Sequence, residues 1–124
     1  MRRWLAAALL ALALPAAAQE LKPFASESLA QITASRAGQP FVLAFWSLTC
    51  AHCQQELADF GRRRTANLVL VSTDTPADGD AIRTTLARHG LENAEVRVFA
   101  DDFAERLRYA VDRHWTGELP RSYF

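Results

Sequence analysis

Hydrophobic residues occur along the chain in blocks whose lengths predict alternating strands and helices. The continuous apolar run at residues 41–46 has the length of a strand covered on both faces, and residues 67–72 form a second run of this kind. A shorter alternating segment at residues 96–99 predicts a third strand. Because helical patterns separate these strands, the order predicts a parallel α/β sheet.

Four segments carry apolar residues at helical spacing. The first begins at Ser28, whose spacing to Gln31 is that of a capping box, and stops before Gly38. The second begins at Cys50 and ends at Gly61. The apolar positions that define the four segments are Leu29, Ile32 and Ala34; Cys53, Leu57 and Phe60; Ala81, Ile82, Leu86 and Ala87; and Phe103, Leu107 and Ala110.

Residues 1–18 have the composition of a secretory signal peptide. Arg2 and Arg3 form a basic n-region, an apolar run and three alanines follow, and cleavage is expected before Gln19. The apolar run is shorter than the roughly 18 to 20 residues that span a bilayer, which favours export over the alternative of an uncleaved anchor. The expected product is a periplasmic domain, residues 19–124, without a membrane span.

Length and charge limit the classes of protein that the chain can belong to. Its 124 residues are enough for one small domain. Fourteen basic and 14 acidic residues cancel, and the cations are dispersed along the chain, so nothing in the charge favours a nucleic-acid partner. The run Arg62, Arg63 and Arg64 follows the second predicted helix, where cations complement the helix dipole.

The two cysteines of the chain, Cys50 and Cys53, carry the candidate chemistry. They are too few for a disulfide scaffold, and they lie where a buried strand leads into a helix. The thiol of a free cysteine has a pKa of about 8.5. At a helix N-terminus this pKa can fall to about 3.5 to 7.5, so that more of the sulfur is thiolate at neutral pH. We therefore expect Cys50 to attack a client disulfide and Cys53 to resolve the mixed disulfide, with no bound cofactor.

His52, between the two cysteines, bears on the direction of this exchange. A nearby imidazolium would stabilise the thiolate and hence the reduced form, which would make the pair a stronger oxidant. A ring that points to solvent would have little effect on the thiolate. A reductase and an oxidase are therefore both compatible with the sequence.

Other uses of a cysteine pair are weaker alternatives. Covalent attachment of c-type haem is excluded because Gln54 stands where the motif requires histidine. A zinc site would need two further ligands from His52, His89 and His114, none of which is in a paired spacing. An inert structural disulfide and a Cu(I)-binding chaperone that uses both sulfurs remain open.

One segment, residues 45–57 (FWSLTCAHCQQEL), resembles the active-site strand and helix of TlpA/ResA-like thiol:disulfide oxidoreductases, a branch of the thioredoxin-like superfamily. Residues 69–74, 88–91 and 115–123 follow in the order of that family's next strand, next helix end and cis-proline loop. The resemblance implies a thioredoxin-like α/β fold, with a mixed central sheet flanked by helices. It also implies protein thiols or disulfides as substrates and an upstream thiol electron donor or acceptor, with a DsbA-like oxidase as the alternative.

The resemblance assigns roles to a loop near the end of the chain. Pro120 would be the cis-proline packed against a Cys50–Cys53 disulfide, with an ordinary trans turn proline as the alternative. Leu119 would offer backbone groups to an extended client segment. Trp115 either lines this docking surface or belongs to the packing of the loop.

The sequence also departs from that family. Thr49 and Ala51 stand where Trp and Pro are frequent, and Ala44 replaces a buried acid that accepts a proton from the resolving cysteine. Glu56 is a candidate replacement, although a surface glutamate paired along its own helix is the alternative. The chain stops at Phe124, before the family's C-terminal hairpin and last helix, so we expect an incomplete domain, an inactive fragment or a sheet completed by another chain.

Overall fold

In the computed structural model, the chain folds into a five-stranded mixed sheet with helices on both faces. The structure describes residue 12, residues 18–101 and residues 103–124, so the predicted signal peptide lies outside the described residues except for positions 12 and 18. No helix in the described ranges is both long enough and apolar enough to cross a membrane.

Strands and helices follow one another along most of the chain. The strands are β1 (Leu21–Phe24), β2 (Val42–Trp46), β3 (Leu68–Ser72), β4 (Glu95–Phe99) and β5 (Arg121–Tyr123). The helices are α1 (Ser28–Ser35), α2 (Ala51–Arg62), α3 (Gly79–Arg88) and α4 (Ala104–Val111), with a short 3₁₀ turn at Pro76–Asp78 before α3. The three strands predicted from apolar runs are confirmed, with bounds that shift by no more than one residue.

The strand order across the sheet is β1-β4-β3-β2-β5. Four strands run parallel, whereas β5 pairs antiparallel with β2, so that Phe45 faces Arg121 across the ladder. The all-parallel sheet predicted from the apolar pattern is therefore wrong at one edge, and the mixed sheet implied by the family resemblance is confirmed. β2 lies inside the sheet, between β3 and β5, which agrees with its continuous apolar sequence.

Apolar side chains fill both faces of the sheet. On the face covered by α2 and α3, the cysteine-side core consists of Ala44, Trp46, Cys53, Leu57, Phe60, Leu68, Leu70, Ile82, Leu86, Leu91, Val96 and Val98. On the face covered by α1 and α4, the loop-side core consists of Phe24, Ile32, Leu43, Phe45, Val69, Val71, Phe99, Leu107 and Trp115. Successive residues of β2 alternate between the two cores, as side chains of a strand must.

Two predicted details of the helices are wrong. The hydroxyl of Ser28 accepts the backbone N–H of Ala25 at 2.8 Å, and Glu27 occupies the N-cap, so Ser28 and Gln31 form no capping box. Phe103 was expected on the buried face of α4, but its side chain is 63% exposed and lies under the guanidinium of Arg106. Of the three apolar positions predicted for α4, Leu107 is the one whose side chain is buried in the core.

The C-terminal end of α3 packs closely against α2. α2 continues through Gly61, where a Cβ atom would overlap the backbone carbonyl oxygen of His89. The ring Nε2 of His89 also lies 2.8 Å from Oε1 of Gln54, which belongs to α2. These contacts hold the cysteine-bearing helix against its neighbour.

Candidate active site

Cys50 is the N-cap residue of α2, directly after the loop that leaves β2. Its backbone is extended, and its Sγ accepts the backbone N–H of Cys53 at 3.1 Å. The first N–H groups of a helix have no intrahelical partner, and this end of the helix carries the positive part of the dipole. Both effects stabilise negative charge on Cys50 Sγ when the disulfide is open.

Cys50 and Cys53 form a disulfide, with their Cα atoms 5.2 Å apart. This is the pairing that the family resemblance implies. Cys53 is completely buried in the cysteine-side core, whereas Cys50 is partly exposed and packs against that core. The sulfur of Cys53 is therefore closed to an external thiol, whereas Cys50 lies at the border of the core.

Asp74, which follows β3, holds the loop before Cys50. Its Oδ2 accepts the backbone N–H of Leu48 at 3.0 Å and the hydroxyl of Ser72 at 2.6 Å. A backbone hydrogen bond of 2.9 Å from Thr73 to Trp46 joins the same two segments. The sequence analysis assigns no role in the site to Asp74. The signal for its role was the parallel pairing of the two strands, which brings their carboxyl ends to one edge of the sheet.

His52 lies on the first turn of α2, and its side chain is exposed. Among the hydrogen bonds of the described residues, none joins His52 to either sulfur. The influence of His52 on the direction of exchange therefore stays a prediction.

The loop that ends at Pro120 reaches the same end of the sheet as the cysteines. The Leu119–Pro120 peptide bond is cis, as the family resemblance implies. Because Arg121 pairs with Phe45, the residues just before Arg121 lie at the carboxyl end of β2, the end that leads to Cys50. Leu119 is partly buried and packs against both cores, whereas Pro120 is exposed.

Trp115 belongs to the loop-side core and not to an exposed docking surface. Its side chain is 4% exposed, and its ring lies 4.7 Å from the ring of Phe45, centroid to centroid. The indole Nε1 donates a hydrogen bond of 3.0 Å to the backbone oxygen of Glu118. Of the two alternatives for Trp115, packing of the loop describes it in this structure, where its side chain lies beneath the loop, and its contact with a client stays a prediction.

Glu56 is tied to β5 and not to its own helix. Ala44 is buried in the cysteine-side core with Cys53, and across the ladder it pairs with Ser122. The hydroxyl of Ser122 in turn donates to Oε1 of Glu56, which is partly buried. The alternative of a glutamate paired along α2 is therefore wrong, and its carboxylate lies near the strand position where the expected acid is missing.

The histidines considered for a zinc site do not gather around the cysteines. Within the described part of the chain, no group of three or more His, Cys, Asp or Glu side chains is placed to hold a metal ion. His89 contacts Gln54, and His114 contacts its neighbour Arg113. The described residues thus offer no donor set for the zinc alternative.

Fold and site together define a mixed α/β protein that carries a C-x-x-C disulfide at the N-terminus of a helix. No protein family model, no curated protein and no solved structure matches the chain.

Proposed function

We propose that the chain is an exported thiol–disulfide oxidoreductase of the TlpA/ResA-like, thioredoxin-fold type. One observation carries the proposal: Cys50 Sγ accepts an N–H group at the start of α2 while it is bonded to the buried Cys53. This arrangement provides one reachable sulfur that is a good thiolate and one hidden sulfur that resolves. The strand order, with helices on both faces, is compatible with a thioredoxin-like fold.

In the reducing direction, the thiolate of Cys50 attacks one sulfur of a client disulfide. An S–S bond forms between Cys50 and the client, and the second client sulfur leaves as a thiolate that takes up a proton. Cys53 then loses its proton and attacks Cys50 Sγ, which releases the first client sulfur as a thiol. The client gains two electrons, and the dithiol becomes the disulfide seen in the structure.

The opposite direction uses the same bonds in reverse order. A client thiolate attacks Cys50 Sγ, Cys53 leaves as a thiolate, and a second client thiol displaces Cys50, so that the client becomes a disulfide. Each direction needs a partner that restores the starting state. A protein dithiol would reduce the pair after client reduction, and a protein disulfide would oxidise it after client oxidation.

Client binding would use the loop at Leu119 and Pro120. Leu119 lies at the end of β2 that leads to the disulfide, and its neighbour Pro120 is exposed. An extended client segment could add to the backbone of Leu119 by β-augmentation, which would bring a client sulfur to Cys50. This mode fits protein substrates and requires no deep pocket at the disulfide.

Export follows from the signal-peptide pattern of the sequence. Cleavage before Gln19 would keep the hydrogen bonds that its side chain donates to the backbone oxygens of Leu91 and Ala94, both 3.0 Å long. In an oxidising compartment such as the periplasm, a cysteine pair can cycle between dithiol and disulfide with dedicated partners. We therefore place the proposed activity in the periplasm.

Titration of the reduced protein tests the proposed function. The ultraviolet absorbance of the Cys50 thiolate should persist well below the pH at which free cysteine titrates, about 8.5. The reduction potential of the pair, measured against glutathione, then separates a reductase from an oxidase. A Cys50 that titrates like free cysteine, in a protein that neither reduces nor oxidises a peptide, would contradict the proposal.

Glu56 is the proposed proton acceptor for Cys53 during resolution. Replacing Glu56 by Gln should slow the release of the reduced client by about 100-fold, because a positioned general base contributes at least that factor in typical cases. Stopped-flow measurement of mixed-disulfide decay across pH tests this expectation. Asp59→Asn is the matched control, since Asp59 lies on the same helix and pairs with Arg62. Equal decay rates for both variants would remove Glu56 from the mechanism.

A further inference from the structure

Arg121, the residue after Pro120, makes polar and cation–π contacts with four residues. Its Nη2 lies 2.7 Å from Oδ2 of Asp112, which follows α4, and its Nη1 lies 2.7 Å from Oε1 of Glu118. The guanidinium carbon lies 5.5 Å from the ring centroid of Trp115 and 5.4 Å from that of Tyr123. One planar cation is thus fixed by two carboxylates and two aromatic rings.

The ion pair between Arg121 and Glu118 links the two residues that flank Leu119 and Pro120, the residues proposed to bind the client. Leu119 and Pro120 lie in the chain between Glu118 and Arg121, so the ion pair joins the two ends of this segment. The other carboxylate oxygen of Glu118 accepts the hydroxyl of Thr116 at 2.8 Å. Both oxygens of Glu118 are therefore used to hold the loop.

Both acids stay charged near neutral pH. The backbone N–H of His114 lowers the pKa of Asp112 more than desolvation raises it, and Arg121 lowers it further. The pKa of Glu118 is lowered by its own backbone N–H and by the Thr116 hydroxyl, with a further contribution from Arg121. Because both pKa values are lowered, the ion pairs persist at neutral pH and are lost only as the pH falls through those lowered values.

Ion pairs this close to solvent contribute little to the free energy of unfolding. A planar guanidinium that binds two carboxylates, donates to the Tyr123 hydroxyl and lies near two aromatic rings nevertheless fixes orientation, which a lysine ammonium does not. The residues that it orients are those at the carboxyl end of β2, beside the loop that leads to Cys50. The expected consequence of losing Arg121 is therefore a displaced loop in a folded protein.

We propose that Arg121 is a positioning residue that holds the backbone of Leu119 and Pro120 in the shape that accepts a client polypeptide. This inference rests on the proposed oxidoreductase function. It concerns the recognition of protein clients, because a small disulfide can reach Cys50 without pairing to the loop. The two kinds of substrate should therefore respond differently to changes at Arg121.

The test compares a disulfide-containing peptide with the small disulfide of 2-hydroxyethanethiol as substrates of the full chain. Arg121→Gln should lower kcat/KM for the peptide about tenfold, through KM, because a displaced loop loses about one backbone hydrogen bond to the bound client. Turnover of the small disulfide should stay within about twofold of the unchanged protein. Arg121→Lys, which keeps the charge without the planar fork, should show a smaller rise in KM.

Arg113→Gln is the matched control, because Arg113 lies in the same segment and its Nε donates a hydrogen bond to the neighbouring His114 and not to the Pro120 loop. The inference is overturned if Arg121→Gln matches Arg113→Gln on the peptide, or if both substrates slow equally. If Arg121→Gln fails to fold, the same comparison with Arg121→Lys decides the outcome. Failure of the unchanged protein to turn over either substrate would contradict the proposed function itself, which is a separate result.

Discussion

Cys53→Ser should trap the protein in a mixed disulfide with its client through Cys50. The serine hydroxyl cannot attack Cys50 Sγ, so the second step of exchange stops while the first still proceeds. The trapped species should appear on non-reducing gels after incubation with a peptide disulfide, and mass spectrometry should place the peptide on Cys50. Turnover of the peptide should fall to the rate of the uncatalysed exchange.

The control for this experiment is the complementary variant, Cys50→Ser. It leaves Cys53 as the remaining thiol, which is completely buried and has no route to a peptide. We expect no adduct and no turnover from this variant. Adducts of similar yield from both variants, or from neither, would contradict the division of roles between the two sulfurs.

Gly61→Ala should lower the free energy of unfolding by about 2 kcal/mol, because the new methyl group meets the backbone carbonyl of His89. A backbone oxygen at the end of α3 cannot rotate away as a side chain would. The separation of α2 and α3 must therefore increase. Urea unfolding, with an unchanged m value, measures this loss.

Gln55→Ala is the comparison, since Gln55 lies exposed on the same helix and should change stability by no more than about 0.5 kcal/mol. Alanine has the higher helix propensity, by about 1 kcal/mol over glycine. A Gly61→Ala variant that is more stable than the unchanged protein would show that propensity outweighs the clash.

Much of the sheet could be predicted from local sequence because its inner strands are continuous apolar runs. β2, β3 and β4 appear where that pattern places them. β1 (Leu21–Phe24) was missed, since its four residues include Pro23 and lack a strand pattern of their own. Its extended form depends on the pairing with β4, and proline is tolerated there because β1 is an edge strand.

The candidate site likewise has features that local sequence predicts and features that depend on contacts between distant parts of the chain. The position of Cys50 at a helix N-terminus is a local property of strand, loop and helix, and it was predicted. The hydrogen bond from Leu48 to Asp74 and the hydrogen bond from Ser122 to Glu56 each join residues that are far apart in the chain. Such contacts depend on which strands become neighbours, and the hydrophobic pattern alone does not specify this order.

The alternation of side chains along β2 has a consequence for how much change the protein tolerates. Trp46 faces the core that contains Cys53, and its neighbour Phe45 faces the core that contains Trp115. The five residues of this strand thus contribute to two cores, one that holds Cys53 and one that holds Trp115 beneath the Pro120 loop. Inserting or deleting one residue in β2 would exchange the two faces at once, so substitutions of similar size are tolerable there and changes of length are not.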